Sequence, residues 1–236
     1  MDITLSPSSL SLMEECRRCF WLQVNKGIRR PEGPFPSLPS GMDRVLKNYF
    51  DGYRKNGMLP PELAGKAEGV LFPDFDKLNE WRSNRNGLRY KTNNGAVLMG
   101  VLDDLLLENS GKYAPIDFKT RGHPLKENTH TYYQLQMDIY SFLLERNGMQ
   151  QAGHAFLIFY HPKAAEENGK VSFNVETVKM GTEPARGEAV FLDGISALSK
   201  ELPEANSSCG FCRWLETVKG QLSAKESQKL LDDFEF

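Results

Sequence analysis

Every cysteine in this chain belongs to one of two Cys-x-x-Cys pairs, Cys16-Arg17-Arg18-Cys19 near one end and Cys209-Gly210-Phe211-Cys212 near the other. In a reducing compartment such pairs ligate metal far more often than they form disulfides. Four thiolates suit a tetrahedral Zn²⁺ ion or an iron–sulfur cluster. If the four act together, the fold must bring the two ends of the chain to one point. Closing so long a loop costs entropy that grows only slowly with length, whereas a four-thiolate site contributes on the order of 10 kcal/mol. The first pair reads as lying on one helical face, so that both sulfurs converge. Spacing alone leaves zinc and iron–sulfur both open.

With 236 residues, 40% of them hydrophobic and 25% charged, the chain can bury one substantial core. A single domain over 1–236 is expected, with a helical insertion at about 59–92 over the active face. No apolar run approaches the roughly 18 residues that span a bilayer, and Met1-Asp2-Ile3-Thr4 has no basic-then-apolar leader pattern. A cytoplasmic protein with no membrane partner is therefore expected. The formal net charge of −2 excludes coating of nucleic acid by bulk attraction but leaves room for a local basic groove. Positive residues gather at Lys26, Arg29 and Arg30, at Arg44, Lys47, Arg54 and Lys55, and at Arg82, Arg85, Arg89 and Lys91, with Trp81 and Tyr90 interleaved. Each cluster is either a phosphate contact or a solvated face.

Ser6-Pro7-Ser8-Ser9 ahead of Leu10, Met13, Cys16 and Phe20 predicts a capped amphipathic helix starting near Ser8. The proline-rich stretch 31–39 predicts an extended connection, followed by a helix from about Ser40 to Tyr53. Short apolar runs at Ala96–Gly100, Val101–Leu107 and Tyr113–Phe118, the last two joined by Asn109-Ser110-Gly111-Lys112, predict a β-meander. A long helix should cover about Thr129 to Arg146 and stop at Asn147-Gly148. Strands are expected at Ala155–Tyr160 and Val171–Val178, and a last helix at about Pro184–Leu202. The order implies an α/β fold, a mixed sheet flanked by helices. The acidic and apolar end, Leu231 to Phe236, reads as disorder rather than as a docking segment.

The chemistry sits in Gly100-Val101-Leu102-Asp103 and, after a hairpin, Ile116-Asp117-Phe118-Lys119-Thr120. A carboxylate among Val, Leu, Ile and Phe is costly unless a cation or a cleft satisfies it. Strand alternation sends Asp117 and Lys119 to one face and Phe118 to the other, and Asp103 can meet them across the hairpin. Two carboxylates and a backbone carbonyl, here that of Phe118, are the hard oxygen ligands that Mg²⁺ or Mn²⁺ prefers. Lys119 would polarise the attacking water and offset charge on the phosphorane. Asp104 is assigned to the opposite face as an ordinary solvated acid.

These residues resemble the RecB-like branch of the PD-(D/E)xK nucleases, whose motif is Gly-x-x-Asp, a hairpin, then Asp-x-Lys and often Thr. The Gln-x-x-x-Tyr motif of that family is matched by Gln136-Met137-Asp138-Ile139-Tyr140, whose i, i+4 spacing puts both side chains on one helical face. The resemblance implies a restriction-endonuclease-like fold, with Asp103, Asp117, Lys119, Gln136 and Tyr140 at the catalytic centre. It implies a Mg²⁺- or Mn²⁺-dependent deoxyribonuclease, acting as an exonuclease on single-stranded DNA or DNA ends in repair, recombination or CRISPR adaptation, with protein partners from such complexes. Relatives of the CRISPR-associated and AddB types close the domain with a four-cysteine [4Fe–4S] cluster, which here would use Cys16, Cys19, Cys209 and Cys212, with Zn²⁺ the alternative. Their usual split of one and three cysteines differs from the two and two found here. Many relatives also carry a metal-ligating histidine before the sheet, whereas the first histidine of this chain is His123. Asp43 is the nearest substitute, and with Lys47 it is equally a routine i, i+4 ion pair. The rival expectations are a nucleic-acid-binding module without turnover and a zinc-clasped interaction protein whose acids lie at the surface.

Overall fold

The computed structural model describes residues 3–221, so the acidic end at 231–236 lies outside the described residues. The chain divides into two compact units, one of Met1–Ser8 and Pro34–Leu192, the other of Ser9–Gly33 and Asp193–Phe236.

The larger unit is built on two sheets. Strands β1 (Thr4–Leu5), β3 (Leu88–Lys91) and β4 (Val97–Gly100) form a small sheet in the order β1-β4-β3. Strands β2 (Gly69–Leu71), β5 (Asp104–Glu108), β6 (Tyr113–Thr120), β7 (His154–Ala165) and β8 (Val171–Gly181) form the main sheet in that order. The main sheet is mixed, because β6 and β7 run parallel while its other pairs are antiparallel. Helix α3 (Ser37–Lys55) covers one face. Its Leu46 and Phe50 pack on Leu71, Leu106, Ile116, Phe118, Phe156 and Ile158, with the Phe50 and Phe118 rings 4.6 Å apart. Helix α5 (Gln134–Arg146) is apolar on most sides, as a helix buried within a domain must be. A 3₁₀ turn at Thr129–Tyr133 precedes it.

The expected meander is interrupted. The chain leaves the small sheet at Gly100 and joins the main sheet at Asp104, so residues 101–103 form a corner between sheets and Asp103 stands on that corner rather than inside a strand. Gly100 makes the corner feasible. A Cβ there would lie 2.8 Å from Leu143 Cδ1 and 3.0 Å from the Tyr140 ring, so any side chain would push α5 away. The stretch 59–92 also departs from a helical insertion. It contributes β2 and β3 to the two sheets, with the single helix α4 (Phe75–Trp81) between them, capped by the Asp74 carboxylate on the Lys77 N–H. Helix α6 (Pro184–Leu198) ends earlier than its apolar periodicity suggested.

The smaller unit holds a second departure. The predicted first helix is two, α1 (Pro7–Glu15) and α2 (Arg17–Lys26), broken at an extended Cys16 with φ −158° and ψ 103°. Cys16 and Cys19 therefore do not share a helical face. Cys16 is the N-cap of α2 and Cys19 lies in its first turn. The second pair repeats this placement on α7 (Gly210–Gln221), with Cys209 just ahead of the helix and Cys212 in its first turn. The two helices open with matching bonds, Phe20 N–H to the Cys16 carbonyl and Arg213 N–H to the Cys209 carbonyl.

Candidate active site and cysteine centre

The antiparallel register that sets Asp104 opposite Ile116 places Asp103, one residue earlier, beside Asp117 of β6. Around this pair the five side chains singled out by sequence converge. Asp103 accepts the Phe118 N–H at 2.9 Å and pairs with Lys47 of α3 at 3.0 Å. Asp117, 2% exposed, lies 2.5 Å from the Lys119 ammonium. The Gln136 amide bridges the two, its NH₂ donating to Asp117 Oδ1 at 3.0 Å and its carbonyl accepting from Lys119 at 2.9 Å. The same NH₂ donates to the Tyr140 hydroxyl at 2.8 Å, and that hydroxyl donates to the Val101 carbonyl at 2.6 Å. The i, i+4 spacing thus lets one helix turn orient the acid and the lysine through Gln136 while Tyr140 bolts down the corner that carries Asp103.

Two neighbours escaped the sequence reading. Lys47 contacts Asp43 at 2.9 Å as well as Asp103, so Asp43 reaches the centre through an ammonium. The Asp43–Lys47 spacing was visible, but not that Lys47 would reach further to Asp103. Tyr133 lies under Lys119, with its ring centroid 4.3 Å from Nζ, and no motif marks it. The Phe118 peptide is present through its N–H. Among the described residues none of these five side chains has a histidine partner, and His154 pairs with Glu108 and His161 with Glu176.

The electrostatics describe a site short of positive charge. Burial pushes the Asp117 carboxyl up, to about 7, and the nearby Asp103 charge adds to this, while Lys119 and Lys47 pull the other way. Burial works against the Lys47 ammonium, yet Asp103 and Asp43 raise its pKa overall. A divalent cation fits such a place, because it supplies to two carboxylates the charge that lysines now supply in part.

Asp104 corrects the reading of it as a solvated acid. It does face away from Asp103, but it is fully buried. Both its oxygens accept from Arg54 at 2.6 Å, and Arg82 adds a contact at 3.1 Å. Arg82 also holds both oxygens of Asp51 and donates to the Asp103 carbonyl at 2.8 Å. Two residues of the expected basic clusters are thus internal cations that fix the corner. Arg30 likewise turns inward, to Glu15 and the Cys209 sulfur.

In the smaller unit the four sulfurs lie within 4.8 Å of one another, with Cys16 to Cys212 at 3.7 Å and Cys19 to Cys209 at 3.8 Å. Among the described residues this is the set of Cys, His, Asp or Glu side chains able to hold a metal ion with three or more ligands. Both pairs sit at helix N-termini, where the partial positive charge favours thiolate. Burial alone would push Cys209 up, but the N–H groups of Cys212 and Phe211 and the neighbouring cysteines bring it down to about 7. Burial pushes Cys19 up, to about 12. Four thiolates sharing one ion at the usual Zn–S distance have tetrahedral edges of about 3.8 Å, which the sulfurs meet or approach.

A mixed sheet with two acids and a lysine held by Gln136 marks a class, the nucleases built around an acid–acid–lysine centre. The sequence model of the PD-(D/E)XK nuclease superfamily matches residues 40–217, most of the chain, and the protein belongs to that superfamily. Nucleases of this superfamily use divalent metals. The crystal structure of SSO0001 is similar at 15% identity, covering 94% of this chain and 89% of that one, with a TM-score of 0.42. No curated protein matches the sequence. Among the described residues, no helix is long and apolar enough to cross a membrane.

Proposed function

We propose that the protein is a Mg²⁺- or Mn²⁺-dependent deoxyribonuclease that cuts phosphodiester bonds in single-stranded DNA or at DNA ends, as a cytoplasmic exonuclease of repair, recombination or CRISPR adaptation. The observation that carries this reading is the closed set of contacts joining Asp103, Asp117, Lys119, Gln136 and Tyr140. Asp103, Asp117 and the Phe118 carbonyl would hold the metal, with Asp43 adjoining through Lys47. A bound divalent cation supplies Lewis acidity to the phosphodiester and to water. Lys119 offers its ammonium to the phosphoryl oxygens, where charge grows as the bond breaks. Gln136 and Tyr140 hold that ammonium and the corner in place, so little reorganisation is needed at the moment of reaction.

The cysteine centre is a structural clasp. Sulfurs bound to four separate irons must stand farther apart than sulfurs sharing one ion, so the 3.7 and 3.8 Å separations favour Zn²⁺ over the [4Fe–4S] cluster that the resemblance implies. Anaerobically purified protein should be colourless and carry one zinc per chain. A brown protein with iron and sulfide in equal amounts would instead establish the cluster.

Cleavage of end-labelled single- and double-stranded DNA with Mg²⁺ or Mn²⁺, beside an Asp117→Asn control, tests the activity. Cutting that disappears in the control supports the nuclease. DNA binding without cutting under any divalent metal would favour the module that binds without turnover. The interaction-protein rival needs surface acids, and Asp117 is not one.

A further inference from the structure

Strand β6 ends at Thr120, and Arg121 keeps one more bond of the ladder, its N–H donating to the Tyr160 carbonyl at 2.9 Å. A recess of about 500 Å³ opens there. It is walled by Leu38 and Met42 from the start of α3, by Thr120 and Arg121, and by Val171 and Phe173 of β8. No acid is among its lining residues, of which Thr120 and Arg121 are the two polar ones. Part of the apolar wall faces water, since Leu38 is 71% and Val171 52% exposed.

Arg121 differs from the arginines that meet Asp51 and Asp104. Arg54 and Arg82 each close on carboxylates. Among the described residues the Arg121 guanidinium has neither a carboxylate nor a hydrogen-bond acceptor, and its buried Nε has no partner. Two residues of strand advance the chain by about 6.6 Å. Arg121 therefore follows Lys119 by a distance comparable to one nucleotide.

An apolar wall beside one unpaired guanidinium matches the two halves of a nucleotide, with the base against the wall and the phosphate on the fork. We infer that this recess is a nucleotide subsite that takes an unpaired base of the strand being cut, with Arg121 on the adjoining phosphate. The inference rests on the nuclease reading above. A base paired and stacked in a duplex must be pulled out to enter, at a cost of a few kcal/mol, so the subsite selects single-stranded or frayed DNA. Beyond the Thr120 hydroxyl the side chains offer nothing to read a base edge, so bases of any identity are accepted.

The test measures fluorescence anisotropy of labelled oligothymidine, of an abasic oligonucleotide of equal length and of a blunt duplex, all in an Asp117→Asn background so that nothing is cut. Arg121→Ala should weaken oligothymidine binding about five- to tenfold and lower its salt slope by about one. Leu38→Glu, at an exposed position the fold tolerates, should weaken it similarly. Both variants should bind the blunt duplex within about twofold of their parent, on the same scale of one lost base contact. The abasic oligonucleotide should bind the parent less tightly than oligothymidine does and be insensitive to a loss of apolar wall. Oligothymidine affinity unchanged in both variants, with Asp117-intact protein still cutting, would overturn the subsite and leave the nuclease reading standing. Absence of both cutting and DNA binding would sink the two together.

Discussion

Asp103 and Asp104 are chain neighbours, yet they feed two charge networks of opposite character. The Asp104 network is closed: two carboxylates, Asp51 and Asp104, meet two guanidiniums, Arg54 and Arg82, all nearly out of water. The Asp103 network is open: Asp103 and Asp117 meet lysines, whose ammoniums sit on flexible stems, and the acid at its heart titrates near neutrality. A rigid, bidentate fork suits a permanent tie, whereas a lysine can yield its place to a metal or a phosphate. Neighbouring acids of one chain segment are thus distinguished by the kind of cation that meets them. Burial alone does not sort them.

The largest effect is expected at Asp104. Asp104→Ala leaves two buried guanidiniums short of a partner and should cost about 3–5 kcal/mol in urea unfolding. A loss below about 1 kcal/mol, the range of an exposed ion pair, would place Asp104 among surface acids after all. Asp117→Asn should do the opposite, reducing cleavage on the order of a thousandfold, about 4 kcal/mol of barrier, while the melting temperature holds or rises. A melting temperature several degrees lower would move Asp117 into the structural network. Gln136→Ala should lower kcat about tenfold, near 1.4 kcal/mol, with little change in folding, because the acid and the lysine keep each other but lose their common brace. Unchanged kcat would leave Gln136 without a positioning role.

Read per unit of pH, the titration of Asp117 gives the shallowest effect. In metal-free protein the folded Asp117 carboxyl titrates at about 7 against an ordinary value of 3.8. Between those values the folded state holds a proton that the unfolded chain has released, so stability should fall as pH rises through this window, by about 1 kcal/mol per unit. The slope should shrink in Asp117→Asn, as read by chelator-treated unfolding at several pH values. An equal slope in both proteins would assign it to other groups.

The convergence of Asp103, Asp117, Lys119, Gln136 and Tyr140 was legible because charges spaced through apolar runs need a common partner, and Gln136 and Tyr140 add a helical register. Strand alternation also gave the right face for Asp104. It could not say what waits on that face, since Arg54 and Arg82 arrive from 50 and 22 residues away. The break at Cys16 was hidden because apolar periodicity runs on from Leu10 through Phe20 while the backbone does not. The corner at 101–103 was hidden for the related reason that two short apolar runs read as one ladder until Gly100 is seen against α5.

The discontinuous make-up of the cysteine-bearing unit has a consequence for how the molecule comes into being. Its two segments, Ser9–Gly33 and Asp193–Phe236, are separated by the stretch that builds both sheets. During synthesis Cys16 and Cys19 emerge early and must wait as bare thiols until Cys209 and Cys212 follow, by which time the sheet-forming segment has had time to collapse as a unit. The order of assembly is then set by translation, and the meeting of the four thiols comes as its last step. Oxidant or chelator present while the ribosome is still at work should be far more damaging than the same treatment of the finished protein.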